Sequence, residues 1–199
     1  MRPALLAALT IVTLIHGHAA LLPQRVSRGV SQNERKIGKS NWRGEPVQVN
    51  KVKLKERIVE FDRGFTDANE DWLKGLSLNV TNSSNKDIIF IELTLTLFGK
   101  EEGLTASLIP LAYPVMYGAA KDGSTTAPPI RPNESVDVTL ADADHDKLKE
   151  LLLINNYPTR FRHVELRLDK VVFADGTVWY KSYNFYRDPN NPQRFIRIK

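Results

Sequence analysis

The chain has 199 residues, of which 42% are hydrophobic and 26% charged, with no cysteine and a formal net charge of +5. Such a composition belongs to an ordinary globular protein and argues against wholesale disorder or a membrane-embedded body. The absence of cysteine removes disulfides, thiolate metal sites, iron–sulfur clusters and cysteine nucleophiles together.

In chain order, Met1-Arg2 supplies a positive start, Ala4 to Ile15 is an apolar run interrupted only by Thr10 and Thr13, and small residues follow at Gly17, Ala19 and Ala20. This is the three-part layout of a secretory signal peptide over residues 1–20. The run is too short to cross a bilayer as a helix, which takes ~20 residues. The expectation is an exported protein, periplasmic or extracellular, with no transmembrane segment after cleavage. Residues 21–45 then carry Arg25, Arg28, Arg35, Lys36, Lys39 and Arg43 against the single acid Glu34 in the stretch up to Arg43. Scattered apolar positions and polar fillers predict a flexible basic leash there, with weak contact to anionic surfaces.

A β-rich domain is expected over 46–199. Val47, Val49, Val52, Leu54 and Ile58-Val59 alternate with charged residues, with an irregularity near Lys51. Leu76, Leu78 and Val80 share one face of a strand, and Ile89, Ile91, Leu93, Leu95 and Leu97 alternate strictly in the next. The polar turn Asn82–Asn85 between them predicts an antiparallel hairpin. Gly99 to Pro132 is proline-rich and reads as loop or edge strand. Val136, Val138 and Leu140 mark a short strand. Leu148, Leu151, Leu152 and Asn155 then fall at helical spacing, which predicts a helix over about 142–155 with a capping-type start at Thr139–Asp142. Val164 to Phe173, the Asp175-Gly176 turn and Val178 to Tyr186 predict a second hairpin. About seven strands and one inserted helix describe a mainly-β chain, an immunoglobulin-like antiparallel β-sandwich without the cysteine–tryptophan–cysteine core.

Four stretches carry a family resemblance: Trp72–Leu76, the Val80–Ser84 turn before Ile88–Ile91, Arg131–Ser135, and Phe173–Trp179. The order "strand, N-x-S turn, strand, proline–acid turn, strand" resembles the FxLYD-type and related sandwich modules of exported bacterial envelope proteins, over roughly residues 46–186. Arg131-Pro-Asn-Glu134 departs from the more usual Pro-Gly-Glu. The resemblance implies a fold and an exported location, and no activity.

No catalytic constellation is legible. Only His145 and His163 lie beyond the signal segment. Gly75-Leu-Ser77-Leu-Asn79 lacks the second glycine of a nucleophile elbow and sits in a strand pattern, so Ser77 reads as a solvent-face residue. His163 reads as a surface histidine. Asp142-x-Asp144-x-Asp146 starts like a calcium loop, but Lys147 and Leu153 replace the required glycine and glutamate, which leaves helix-capping acids. Nothing favours paired carboxylates of glycosidase type. No metal, cofactor or phosphate-cradling loop is implied.

The candidate binding residues are aromatic. In one continuous strand, Trp179, Tyr183 and Phe185 would share a face, with Tyr113 and Tyr117 added from the proline-rich segment. The leading expectation is a non-catalytic exported interaction or structural module of the bacterial envelope, with a protein or glycan partner. The alternative is a carbohydrate- or peptide-binding module using the aromatic 179–186 strand. Residues 44–199 hold 21 basic and 22 acidic side chains, so the domain is near neutral and the high pI falls on the N-terminal part. That balance argues against nucleic acid as the partner. Fusing residues 1–25 to a reporter active only in the periplasm should yield activity; a silent fusion removes the export assignment.

Overall fold

The computed structural model describes residues 33–98, 111–118, 127–157 and 161–198. The expected signal peptide and leash residues 21–32 lie outside them. The described chain is mainly β, with two sheets around one core and one short helix.

The smaller sheet has the order β3 (Arg57–Val59), β2 (Val47–Leu54), β5 (Leu76–Asn82), β8 (Ser135–Thr139). The larger centres on β9 (His163–Phe173), whose one edge pairs along its length with β6 (Ile88–Leu97), itself edged by β7 (Leu111–Tyr117). The other edge of β9 is divided. Its first half pairs with β1 (Glu34–Ser40), which β4 (Gly64–Thr66) follows. Its second half pairs with β10 (Val178–Tyr180), which leads on to β11 (Tyr183–Asp188) and β12 (Asn191–Arg197).

Alternation explains the core. Leu76, Leu78 and Val80 of β5 and Leu93, Leu95 and Leu97 of β6 are fully buried. Their intervening positions point outward, as the period of two requires. Burying a leucine side chain contributes roughly 1.5–3 kcal/mol, so these six alone outweigh any surface term. The helix α1 (Asp142–Ile154) turns His145, Leu148 and Leu152 inward. Nearby, Trp72 donates its indole N–H to the Phe161 carbonyl at 3.1 Å. The Lys51 irregularity is a register shift between Val49 and Lys51. Pro114 lies within β7, an edge strand, where its missing N–H costs the least pairing.

Several expectations need correction. The leash does not run through residue 45. Glu34–Ser40 is a strand paired on both edges, Arg35 is 3% exposed and Ile37 is 1% exposed. Its pairing with β9 is parallel, so the architecture is not wholly antiparallel. The described strands number twelve rather than about seven, the excess coming from β1, β4, β7 and β12 and from the division of the expected 178–186 strand into β10 and β11. Nor do β5 and β6 form a hairpin: they lie in different sheets. The corner between them is built on Asn82, fully buried, whose amide donates to the carbonyls of Lys86 (2.8 Å) and Ile130 (2.9 Å) while its Oδ1 accepts from Ser84 N–H (2.9 Å). A buried amide satisfied in this way holds a sheet-to-sheet crossing that a tight turn would not. The N-cap of α1 is Ala141, with no side-chain cap bond, so the capping-type start is absent and Asp142 and Asp144 act through the helix dipole.

If β1 is integral, Ile37→Ala should lower the unfolding free energy by about 2–4 kcal/mol in a denaturant titration. A leash residue would leave the midpoint unmoved.

Candidate functional site

The segment expected as one aromatic strand is two. After Tyr180 the chain reverses through Lys181 (φ 46°) and Ser182 (φ 75°), both left-handed, and returns as β11. Two consecutive positive φ values make the tight turn whose twist matches an antiparallel pair. The reversal changes which residues share a face. Tyr180 lies opposite Tyr183, Val178 opposite Phe185, and Trp179 opposite Asn184. Trp179 and Tyr183 therefore occupy opposite faces, correcting the single-face grouping.

Trp179 belongs to the core at 2% exposure, next to Val171 on β9. Tyr113 is buried too, opposite Leu95, and burial pushes its phenol above the ordinary value, with Asp144 adding to the effect. Tyr117 donates its hydroxyl to the Pro128 carbonyl at 2.7 Å and packs against the core. Of the five expected site residues, only Tyr183 and Phe185 stay on an accessible face.

That face is continuous over five strands. The strand registers align Phe90, Val172, Val178, Phe185 and Arg197 in one row across β6, β9, β10, β11 and β12. At about 4.8 Å per strand the row extends roughly 19 Å. Glu92, Lys170, Tyr180 and Tyr183 form the row on one side, and Arg187 opposite Phe195 the row on the other. A depression of about 210 Å³ is lined by Val172, Val178, Lys170, Arg187 and Phe195 among others.

Cations are seated on the rings. The Arg197 guanidinium lies 3.8 Å from the Tyr183 ring centre, Arg187 5.6 Å from Phe195, Lys170 5.5 Å from Phe90 and Lys181 5.0 Å from Tyr180. Stacked on a ring, a guanidinium keeps its N–H edges turned sideways and open to an anion. None of these four cations makes an ion pair among the described residues. By contrast, Arg167 is committed. It donates to Asp169 (2.7 Å), which also accepts from Thr94 (2.7 Å), and although burial pushes the Asp169 carboxyl up, these bonds hold it below the usual range.

Sequence reasoning missed Phe90, Lys170, Arg187, Phe195 and Arg197. A charge signal for the hairpins was available: residues 178–199 hold five basic side chains and one acid, whereas 44–177 hold 16 and 21. The near-neutral total for 44–199 averages +4 with −5.

The histidines do not assemble a reactive site with Ser77. Ser77 lies on the outer face of the smaller sheet, whereas His163 lies on the outer face of the larger, half-buried and stacked on Phe98 at 5.4 Å. Burial, then Lys36, lowers its pKa, so it is not the plain surface histidine expected. His145 is buried on α1. Among the described residues no group of three or more histidine and acidic side chains is placed to hold a metal ion, and no helix is long and apolar enough to cross a membrane.

Replacing Lys181-Ser182 by Asn-Gly should raise the unfolding free energy by about 1 kcal/mol, because left-handed backbone costs ordinary residues roughly 1–2 kcal/mol each. An unchanged or lowered midpoint would contradict the tight turn. No family model, curated protein or solved structure matches this chain.

Proposed function

We propose that this chain is a non-catalytic interaction module of the bacterial envelope, exported to the periplasm or beyond, and that it works through the open face of β10, β11 and β12. The observation that carries the reading is the pair of ring-seated arginines, Arg187 and Arg197, which make no ion pair among the described residues, beside exposed Tyr180, Tyr183 and Phe195. Cations held in place but unneutralised favour an anionic partner, and exposed rings add apolar contact. The secretory-type N-terminus and the likeness to FxLYD-type modules supply the location.

A carbohydrate- or peptide-binding role would use Tyr183 and Phe185 with Phe195, Arg187 and Arg197 in place of Trp179, Tyr113 and Tyr117. The wild-type chain should co-sediment with washed bacterial envelopes and be released by salt, as screened charge contacts require. The combined variant Tyr183→Ser, Arg187→Ser, Arg197→Ser should remain folded, its changes being confined to one accessible face, and should stay in the supernatant. A folded triple variant that sediments like wild type would end the proposal.

A further inference from the structure

We infer that the partner is an anionic lipid surface, which the β11–β12 hairpin enters at headgroup depth. The inference rests on the contact face just proposed and adds what covers it.

Both faces of the hairpin expose apolar side chains. Tyr183 is 45% exposed and Phe195 44% exposed on the face with the seated arginines. On the opposite face, Tyr186 pairs with Ile196 and is 40% exposed, while Ile198, whose N–H bonds to the Asn184 carbonyl, is 44% exposed. A polymer lying on a sheet platform covers one face and would leave Tyr186 and Ile198 in water. A bilayer interface surrounds the hairpin and covers both.

The charges fit the same environment. Lys181, Arg187, Arg194 and Arg197 stand against Asp188 as the one acid of residues 178–199. Aromatic rings with basic side chains at their level match the headgroup region, where amphipathic rings settle and anionic lipids attract cations. Strands of six and seven residues are too short to span hydrocarbon, which takes ~9–11, so the hairpin lies in the interface. Residues 33–177, β1 included, carry a net charge of only −2, so the attraction to such a surface is concentrated in the hairpin. That concentration orients the domain hairpin-first.

The test uses the full chain with vesicles of phosphatidylcholine, alone or with about a third phosphatidylglycerol. Binding should require phosphatidylglycerol and weaken roughly 30-fold for Arg187→Gln with Arg197→Gln. Lys51→Gln with Lys53→Gln, on the smaller sheet, should leave it unchanged. Tyr186→Ser with Ile198→Ser should also weaken binding, a loss that a one-faced polymer platform would not show. As a local reporter independent of the N-terminal segment, Phe195→Trp should gain blue-shifted emission only with anionic vesicles. Equal binding to both vesicle types, an unmoved Phe195→Trp spectrum, or capture of alginate or single-stranded DNA without vesicle binding would each overturn the lipid assignment. Envelope sedimentation that depends on Tyr183, Arg187 and Arg197 without vesicle binding would overturn the lipid and leave the contact face standing. Loss of both would overturn both.

Discussion

The divided edge of β9 is the constraint on which the larger sheet depends. β1 leaves β9 at the Ser40–Arg167 pair, and β10 joins it at Lys170. Between them the β6 register shifts, so that Glu92 faces Lys170 and Leu93 faces Leu168, with Asp169 as the extra residue. A bulge of this kind leaves a side chain off the ladder and must satisfy it elsewhere. Asp169 does so through Arg167 and Thr94, and its carbonyl accepts the Lys181 N–H at 3.2 Å. One buried carboxylate therefore sits where β1 departs, β10 arrives and the next turn begins. Without a partnered acid at that point, the desolvation cost would act against the bulge itself.

This junction decides what the C-terminal strands can do. β10 is still over the core, since Val178 and Trp179 are buried, but β11 is largely exposed along its length. The four-stranded sheet is smaller than the eight-stranded one, and the hairpin's exposed rings lie on both faces. Its rings thus serve as seats for arginine and lysine instead of core. The rest of the domain supplies the base through β6 and β9, and residues 33–177 carry a net charge of only −2.

Local chemistry was legible where short-range rules operate. The burial alternation of β5 and of β6 from Ile91 onward, the bulge near Lys51, the extent of α1 and the Asp175-Gly176 turn all follow from neighbours in sequence, whereas a register shift after Ile88 buries Ile88 in place of the expected Ile89. Gly176 takes φ +82°, as the turn demands. The second turn escaped because Lys181-Ser182 contains neither glycine nor asparagine, so nothing local announces a left-handed pair. The Asn82 corner escaped for another reason: Asn-Ser-Ser-Asn reads equally well as a hairpin turn or as a crossing between sheets. What distinguishes them is the bond to Ile130, 48 residues away. β1 was hidden by its lysines and arginine, whose long stems can lie along a strand while the composition reads as solvated.

By itself the amino-acid sequence determined the mainly-β class, the positions of the helix and most strands, and an aromatic- and arginine-rich C-terminus. Alternation and turn chemistry act over a few residues, so they need no partner to be read. Only the tertiary structure decided that Trp179 is core and Tyr183 is surface, that Tyr113 and Tyr117 are taken up by packing, and that Arg187 and Arg197 rest on Phe195 and Tyr183. Each of these depends on register, and a reversal after Tyr180 reassigns every following side chain to a face. Which rings remain available for binding is therefore set by which strands pair, and that pairing is made between segments far apart in the chain.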